Sequence, residues 1–384
     1  MGIKHLHQFL RKNCPEIYVE VPLSKYAFRK IAIDISIYMC KFKTSYGIHY
    51  MDAFLKLISI LRYNDIHFVC VYDSKAPPEK STERKMRVES RERSKQRVER
   101  IRESWDLLSG SIEKEMISID PWIQEMKRKH PDEHAIFFKF LDNLYMERQM
   151  NNLPIHSNVI EQEILHLENT LLSVRSEDFL LTKEFFKICQ IPYLDAEGEA
   201  EATCSALAKQ GYISAVLTED TDVLAYGCPF MLHRLNYETH TVMEVDLEEI
   251  LQCLHLTYPQ WLDFCILCGT DYNSNLPKIG SDKAYKLIQQ YGSIDELSIH
   301  MNVSCLNHIR VRELFMQHII ISQAIPYCGL PDYHSLQQLA FTNNCRYDLI
   351  SFYNSFSKSI FHRFAEKESL SFQPQVVSKR ILKS

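Results

Sequence analysis

Acidic side chains end three separate apolar segments of the chain, where they could together hold a metal ion. Asp34, Asp73 and Asp220 each close a run of apolar residues that is typical of a buried strand. The carboxyl ends of parallel strands lie along one edge of an open α/β sheet, and ligands bind at that edge. We therefore expect these three carboxylates, which are distant in sequence, to lie close together in space.

Four further acids extend this set. Asp222 follows Asp220 by two residues, and extended geometry would direct both side chains to the same side. Glu199 and Glu201 stand where a loop enters an alanine-rich helix, and Asp271 follows an apolar helical segment. Carboxylates gathered in one place raise each other's pKa, so such a cluster requires compensating cations. Oxygen ligands favour Mg²⁺ or Mn²⁺, and two such ions about 4 Å apart can hold both reacting oxygens of a phosphodiester.

The alternative interpretation treats each acid separately, as a solvated side chain or a helix cap. Three strand-end aspartates combined with a Glu-x-Glu and an Asp-x-Asp pattern favour the metal site. Histidines occur in the sequence, but none clusters with these acids, which argues against a zinc hydrolase.

A predicted βαβ unit and later strands must position the acids. Residues 29–34 and 66–73 are predicted strands, and 49–63 between them has apolar residues at helical spacing, so the strands should be parallel. The segment 212–220 is predicted as a third strand. Further predictions are a strand pair at 229–235 and 241–246, helices at about 133–150, 157–173, 176–190, 199–209 and 261–269, and a short helical hairpin at 277–292.

Composition favours a helix-rich, soluble globular protein. The chain has 384 residues, of which 46% are hydrophobic, 24% are charged and only 10 are glycine. Its 12 cysteines lie mainly in apolar runs, which predicts core packing and a reducing, intracellular location, either the nucleus or a cytoplasmic replication site. We expect no secretory signal and no membrane span.

Charge is distributed unevenly along the chain. The formal net charge is −5, which by itself disfavours a nucleic-acid binder, yet residues 80–102 carry ten Lys or Arg and four Glu. A solvated, salt-bridged helix is the alternative for such a segment. Because the segment begins directly after Asp73, we expect its first turn to overhang the acidic edge and to bind a phosphate.

Five motifs, taken in order, resemble the XPG/flap endonuclease family of structure-specific 5′ nucleases over roughly 1–104 and 180–295. They are Met-Gly-Ile-Lys-His-Leu, Val-Tyr-Asp-Ser-Lys-Ala-Pro-Pro-Glu-Lys, Pro-Tyr-Leu-Asp-Ala-Glu-Gly-Glu-Ala-Glu-Ala, Thr-Glu-Asp-Thr-Asp-Val-Leu and Leu-Cys-Gly-Thr-Asp-Tyr. The resemblance implies an α/β fold of the PIN-like 5′ nuclease type, with a mostly parallel central sheet flanked by helices. It also implies a helical arch and a helix–two-turn–helix element that binds duplex DNA.

The resemblance further implies a two-metal site and a substrate. One Mg²⁺ ion would be held mainly by Asp34, Asp73, Glu199 and Glu201, and a second mainly by Asp220, Asp222 and Asp271, with Mn²⁺ able to substitute. The implied substrate is branched double-stranded DNA with a 5′ single strand, cut near the junction.

Cationic and aromatic residues are carried over from the same resemblance. Lys80 and Arg87 match the family pattern Lys-Ser-x-Glu-x-x-x-Arg and are assigned to the scissile phosphate; their spacing predicts one helix face. The other implied DNA contacts are Gly2, Tyr38, Arg84, Lys278, Gly280, Lys283 and Lys286. Tyr38 has core packing as its alternative, and the helix–two-turn–helix is expected to bind K⁺.

The chain departs from the family in its length and its tail. Asp73 and Glu199 are farther apart than in a typical flap endonuclease, which predicts an expanded helical arch. The expected regions are an N-terminal nuclease region at 1–104, the insertion at 105–180, an internal nuclease region at 181–275, a helical region at 276–370 and a loose tail at 371–384. The tail lacks the glutamine–aliphatic–aromatic motif of sliding-clamp binding, and we expect a monomer.

Several functions remain open at this point. The leading hypothesis is a 5′ flap endonuclease with accompanying 5′ exonuclease activity. A junction-resolving or bubble-cutting endonuclease of the same family is the close alternative. A non-catalytic DNA-binding scaffold and a small-molecule phosphatase are alternatives of other classes; the complete acid set disfavours the first, and the basic segment disfavours the second.

Overall fold

A mixed sheet lies at the centre of the first of two structural units. The computed structural model describes residues 2–110, 119–150 and 156–357 and the short strand Val376–Val377. One unit comprises 1–40, 49–83 and 174–384, and the other comprises 41–48 and 84–173.

Seven strands and a two-residue eighth form the sheet, in the spatial order β1-β7-β6-β5-β2-β3-β4-β8. The strands are β1 (Tyr18–Pro22), β2 (Lys30–Asp34), β3 (His67–Tyr72), β4 (Tyr193–Ala196), β5 (Ala215–Leu217), β6 (Phe230–Asn236), β7 (Thr241–Asp246) and β8 (Val376–Val377). Neighbours from β6 through β8 pair in parallel, and only β7 pairs antiparallel, with β6 and β1. The predicted α/β fold with a mostly parallel sheet is confirmed.

Helices cover the sheet and build the second unit. They are α1 (Leu6–Asn13), α2 (Ile35–Tyr46), α3 (Tyr50–Tyr63), α4 (Ser81–Ser109), α5 (Asp120–Lys129), α6 (Ala135–Met150), α7 (Ser157–Thr170), α8 (Ser176–Ile188), α9 (Ala200–Lys209), α10 (Asp222–Ala225), α11 (Leu247–Leu254), α12 (Tyr258–Cys268), α13 (Ser281–Tyr291), α14 (Ile294–Ser298), α15 (His308–Phe315), α16 (Tyr333–Thr342) and α17 (Leu349–Ser357). Among the described residues, no helix is both long and apolar enough to cross a bilayer.

Parallel pairing brings the ends of the central strands to one edge. Asp34 lies opposite Val71 of β3, and Ile33 lies opposite Leu217 of β5. Every residue of β3 is buried, as expected for a parallel strand covered on both faces. The acids that follow β2, β3 and β5 therefore emerge at neighbouring positions.

The predicted third strand is correct in place but too long. Strand β5 covers only Ala215–Leu217, because the chain turns before Asp220 rather than continuing in extended form. Strands β1 and β4 were not predicted. Strand β4 is four residues long and contains the polar Asp195, so it lacks the apolar run that identified the other parallel strands.

The predicted helical hairpin at 277–292 is wrong. The segment contains one helix, α13, preceded by a turn in which the Ile279 N–H donates to the Leu276 carbonyl. The backbone explains the difference, because Gly280 is extended and α13 begins only after it, at Ser281. Lys278 in this turn adopts a left-handed φ of 64°.

The second unit is helical and has its own aromatic core. The second half of α4 packs with α5, α6 and α7 through buried residues that include Trp105, Trp122, Phe137 and Ile160. The predictions of helices at 133–150 and 157–173 are confirmed by α6 and α7. The expected tail at 371–384, with its missing clamp motif, lies outside the described residues apart from β8.

Candidate active site

Hydrogen bonds connect Asp34 and Asp73 to neighbouring parts of the sheet edge, and Asp220 lies close enough to act on Asp34 through its charge. Asp34 is 1% exposed at the end of β2, and its Oδ2 accepts a 3.2 Å hydrogen bond from the Thr218 hydroxyl, beyond β5. Asp73 follows β3, and its Oδ1 accepts from the Ala200 N–H at 2.7 Å, at the start of α9. Burial, then the charges of Asp73 and Asp220, raise the pKa of Asp34 well above its usual range. The three acids therefore lie within electrostatic reach, as the sequence indicated.

Glu199 and Glu201 both face this edge because the helix begins between them. Glu199 is the N-cap of α9, with extended backbone angles, and Glu201 lies in the first turn of the helix. Both side chains are buried. Burial, followed by the charges of Asp34, Asp73 and Asp220, raises the pKa of Glu201 well above its ordinary value. On a regular helix, side chains two residues apart would point in different directions. Because Glu199 is extended and only Glu201 is helical, both side chains can face the acidic edge.

Asp220 and Asp222 converge by a turn rather than by extended geometry. The Asp222 N–H donates to Asp220 Oδ1 at 3.0 Å, and α10 begins at Asp222. The predicted extended Asp-x-Asp arrangement is therefore wrong, although the side chains remain close. Burial raises the pKa of both carboxyls, and the charges of Asp220 and Asp271 add to the increase at Asp222.

Lys80 supplies a cation inside the acidic group. Its Nζ lies 2.7 Å from Glu199 Oε1 and 3.2 Å from Asp271 Oδ2. Burial alone would lower the pKa of Lys80, but the charges of Glu199, Glu201 and Asp271 outweigh it and raise that pKa. The ammonium is therefore held in its charged form beside acids from α9 and from the loop after α12.

The expectation that Lys80 and Arg87 share a helix face is wrong. Lys80 ends a 3₁₀ turn (Pro78–Lys80), and α4 begins after it. The neighbouring Glu79 binds Arg310 of α15 at 2.7 Å, which fixes the same turn. Arg84 and Arg87 lie in the first turns of α4 with exposed side chains.

Two buried carboxylate oxygens provide a test of whether the acids fit a metal ion. Glu201 Oε2 and Asp222 Oδ1 are buried and have no hydrogen-bond partner among the described residues. A buried charge without a partner is costly, and a divalent cation would remove that cost. The donors are all oxygens, which suits Mg²⁺ or Mn²⁺.

The acids are spread more widely than a closed ligand cage. In the described part of the chain, sets of three ligand atoms within 4.8 Å of one another occur at Cys14, Glu16 and Cys253 and at a His-Glu-His turn, but not among the seven acids. Mg²⁺ usually keeps several water ligands and uses only one or two carboxylates directly, so the wider spacing is compatible with it. The assignment of the seven acids as metal ligands stays a prediction.

Gly2 packs directly against the Asp220–Asp222 turn. Its φ is 84°, and a Cβ added there would approach Asp220 Oδ1 and lie 2.7 Å from Thr221 Oγ1 and 2.8 Å from the Asp222 nitrogen. Only glycine fits this backbone conformation and this space. The predicted DNA contact at Gly2 is untested, but the residue has a packing role beside the acids.

The remaining predicted DNA contacts fall into a buried and an exposed class. Tyr38 is 1% exposed within α2, and burial raises the pKa of its hydroxyl, so its position favours the core-packing alternative. Gly280 is the N-cap of α13 and is exposed. Lys278 in the preceding turn is also exposed, as are Lys283 and Lys286 in the helix. These backbone and ammonium groups face solvent around the start of one helix, where an anion is favoured.

Two buried tyrosines, Tyr226 and Tyr272, lie beside Glu199 and were not predicted from the sequence. The Tyr272 hydroxyl donates to Glu199 Oε2, and the Tyr226 and Tyr272 hydroxyl oxygens are 2.8 Å apart. Burial raises the pKa of Tyr272 well above its ordinary value, so it remains a donor. Its position directly after Asp271 in the last acidic motif was the available signal.

Cysteine placement is partly as predicted. Cys265 and Cys268 are buried in α12, which confirms their core packing. Cys14 and Cys253 instead form a disulfide that joins the end of α1 to α11, and Glu16 lies beside it. This pairing could not be predicted from the sequence, because the two cysteines are 239 residues apart.

Comparison with known proteins identifies the family. Residues 1–94 match the XPG N-terminal domain and residues 190–271 match the XPG I-region. The chain is 30% identical to a probable RAD2-like endonuclease of Invertebrate iridescent virus 3, over 82% of this chain and 85% of that protein. The chain belongs to the XPG/flap endonuclease family. It is accordingly a structure-specific nuclease, and its acidic edge lies where this metal-dependent family carries its motifs.

Other members of the XPG/flap endonuclease family show the range of similarity. A probable RAD2-like endonuclease of Invertebrate iridescent virus 6 is 28% identical, over 93% of this chain and 92% of that protein. Flap endonuclease 1 of Scheffersomyces stipitis is 26% identical, over 82% of this chain and 72% of that protein.

Two solved structures share the fold. The catalytic core of Rad2 in complex with DNA substrate aligns with a TM-score of 0.60 at 17% identity, over 93% of this chain and 99% of that one. Human GEN1 in complex with Holliday junction DNA aligns with a TM-score of 0.56 at 18% identity, over 93% and 76%. At these identities the likeness concerns the fold alone.

Proposed function

We propose that this chain is a Mg²⁺-dependent 5′ flap endonuclease with accompanying 5′ exonuclease activity, acting where single- and double-stranded DNA meet. The observation that carries the proposal is the group of seven acids at the sheet edge, two of which have buried carboxylate oxygens without a partner. Similarity to flap endonuclease 1 of a yeast supports the choice of substrate.

The acids divide by the elements that present them. Asp34, Asp73, Glu199 and Glu201, around β2, β3 and α9, would mainly hold one ion. Asp220, Asp222 and Asp271, around α10 and the end of α12, would mainly hold the other. A bound pair of such ions activates water as the nucleophile and stabilises the charge that develops on the phosphate.

Lys80 has two tasks in this proposal. Before DNA binds, its ammonium lies against Glu199 and Asp271 and offsets part of their mutual repulsion. When the scissile phosphate arrives, the same ammonium is within reach of a non-bridging oxygen and stabilises negative charge there. Arg87, exposed on α4, is proposed to bind the scissile phosphate together with Lys80, and the exposed Arg84 is proposed to bind a phosphate of the DNA.

Duplex DNA is proposed to bind at the exposed start of α13. Lys278, Lys283 and Lys286 supply phosphate contacts, and Gly280 allows the backbone to approach closely. A K⁺ ion is proposed at the turn before this helix, in keeping with the family resemblance. The 29-residue helix α4 and the helices that follow it are proposed to act on the single strand.

A cleavage panel tests the proposal. Purified protein is offered 5′ flaps, nicks, bubbles and four-way junctions with Mg²⁺, and again with EDTA. We expect flap cutting that EDTA abolishes, and an Asp220→Ala variant that loses several orders of magnitude in rate while DNA binding is largely kept. The control Glu238→Gln changes an exposed acid of the β6–β7 turn and should cut like the unmodified protein. Equal rates for Asp220→Ala and the control would refute the mechanism.

The junction-resolving alternative has its own support, because the fold is shared with human GEN1 in complex with a Holliday junction. Blocking the free 5′ end with a bulky group separates the two functions. A flap endonuclease that threads this end should be inhibited, whereas a junction-resolving enzyme should not. Cutting of four-way junctions without cutting of flaps would favour the alternative. Binding without any cleavage would favour a scaffold, and hydrolysis of small phosphate esters alone would favour a phosphatase.

A further inference from the structure

The helical unit contains a group of ligand-type side chains that the nuclease site does not use. Ligand atoms of His130, Glu133 and His134 all lie within 4.8 Å of one another. These residues occupy the turn between two helices, since His130 directly follows α5 and His134 directly precedes α6. The motif His-Pro-Asp-Glu-His thus places two imidazoles and a carboxylate on one short turn.

Hydrogen bonding fixes the protonation of His134 in a form that can bind a metal. The Ser104 hydroxyl donates its single hydrogen to the Arg100 carbonyl at 2.8 Å. The 2.9 Å contact between His134 Nδ1 and Ser104 Oγ must then use a hydrogen on the histidine. In the neutral ring, Nε2 therefore carries a lone pair. Both side chains are buried, which holds the imidazole in this orientation.

This arrangement is the one that metal-binding histidines use. A histidine that binds a metal through one nitrogen usually donates its other N–H to a nearby oxygen, and this contact orients the ring. Ser104 provides that oxygen from the preceding helix α4, within the same unit. With Nδ1 bound to Ser104, Nε2 is the His134 nitrogen left to bind an ion.

His130 and Glu133 complete a solvent-accessible donor set. His130 Nδ1 lies 3.1 Å from Glu133 Oε2, and the two side chains are 39% and 68% exposed. The simple alternative is an ion pair within the turn. Their exposure allows an ion to enter from solvent, and it leaves room for a water ligand. Two imidazoles with one carboxylate suit zinc-class ions, whereas Mg²⁺ prefers oxygen ligands alone.

We propose that His130, Glu133 and His134 form a binding site for one zinc-class transition-metal ion in the helical unit, separate from the acidic edge. The ion joins the end of α5 to the start of α6. The aromatic core begins next to the site, since the rings of His134 and the buried Phe138 are 6.4 Å apart. Bound metal therefore stabilises the packing of this unit.

Cobalt binding tests the site directly. The full chain, freed of any affinity tag and stripped with EDTA, is titrated with Co²⁺ and followed by visible absorption. We expect one equivalent of tetrahedral Co²⁺ without a thiolate charge-transfer band, displaced by Zn²⁺ but not by Mg²⁺. His130→Ala and His134→Ala should lose this spectrum. Ser104→Ala should weaken binding about 10- to 100-fold, because it removes only the orienting oxygen.

Control variants distinguish this site from the others. His166→Ala removes an exposed histidine of α7 in the same unit and should bind Co²⁺ normally. Cys253→Ser disrupts the cysteine group and should also bind normally. Because His134 is buried, Glu133→Gln serves as the second test: it alters an exposed side chain, should keep the circular dichroism spectrum, and should weaken Co²⁺ binding at least tenfold.

Three outcomes would overturn the proposal. They are the absence of a tetrahedral spectrum in the unmodified protein, unchanged binding in Glu133→Gln with a native fold, and loss of the spectrum in Cys253→Ser. Nuclease activity is not the readout, so failure here is distinguishable from failure of the proposed function.

Discussion

Neutralising Asp222 should stabilise the metal-free protein and remove its response to Mg²⁺. The carboxyl is 2% exposed, and its Oδ1 has no hydrogen-bond partner among the described residues. Burial, Asp220 and Asp271 raise its pKa. The folded protein therefore binds a proton at Asp222 more tightly than the unfolded chain does. Without metal, stability should fall as the pH rises from the ordinary value of 3.8 toward neutrality.

The size of the effect follows from the cost of the unsatisfied group. An unsatisfied buried polar group costs about 1–3 kcal/mol, and a charged one costs more. Asp222→Asn keeps the shape and puts a neutral polar group in place of the charge, so the gain at pH 7 in EDTA is the excess cost of the charge, which we expect to be about 1–3 kcal/mol. At about 2–4 °C per kcal/mol, this gain corresponds to a rise in Tm of roughly 2–12 °C.

Magnesium should remove or reverse the difference in stability between the two proteins. A ligand at one hundred times its Kd stabilises the folded state by about 2.7 kcal/mol, so the unmodified protein should gain several degrees in saturating Mg²⁺. The variant should gain little, because it has lost a ligand. Calorimetry in EDTA and in Mg²⁺, at pH 5 and pH 7, measures both effects. Glu238→Gln, which alters an exposed acid, is the control.

Two results would refute this reasoning. The first is an Asp222→Asn variant that is less stable than the unmodified protein in EDTA at neutral pH. The second is an equal gain in Tm from Mg²⁺ in both proteins. The first result would mean that the charge of Asp222 does not destabilise the metal-free protein, and the second would mean that Asp222 is not close to an ion.

Three other substitutions test other parts of the site. Lys80→Ala should lower single-turnover cleavage about 10²–10³-fold with little change in DNA affinity, because it removes a charge at the phosphate; a parallel loss of affinity in a binding assay would contradict this role. Lys278→Gly should raise the free energy of unfolding by about 1–2 kcal/mol in guanidinium titrations, because Lys278 has a left-handed φ of 64°, which glycine adopts without strain. The control Lys283→Gly, within α13, should lower the free energy of unfolding by about 1 kcal/mol, because glycine disfavours a helix. Gly2→Ala should reduce both the cleavage rate and the Tm, because the added Cβ would collide with the Asp220–Asp222 turn. The control Gly110→Ala should change neither, because a Cβ added there meets no atom within 4 Å. Equal behaviour of the two variants would argue against the close packing of Gly2.

The sequence was most informative where burial on both faces produced continuous apolar runs. Strands β2 and β3 have this character, so the acids at their ends could be located from the sequence. Helix α9 was recognisable from its alanines. The short β4 has no such run, and only its pairing with β3 makes it a strand.

Local turns were harder to predict because side chains determine them. Asp222 starts a helix since its N–H is held by Asp220, a bond that residue spacing alone does not indicate. The role of Tyr272 depends on contact with Glu199, distant in sequence. His134 acquires its tautomer from Ser104 on another helix. Clamp binding, oligomeric state and cellular location stay predictions.

The 3₁₀ turn before α4 is held at two consecutive residues, Glu79 by Arg310 and Lys80 by Glu199 and Asp271. All of these groups belong to the sheet-containing unit. The ammonium is thus held before the long helix begins, by contacts that involve no residue of the segment 84–173. The length of the segment that follows Arg87 can therefore vary between relatives without moving the ammonium, so that substrate choice can change while the position of Lys80 is kept.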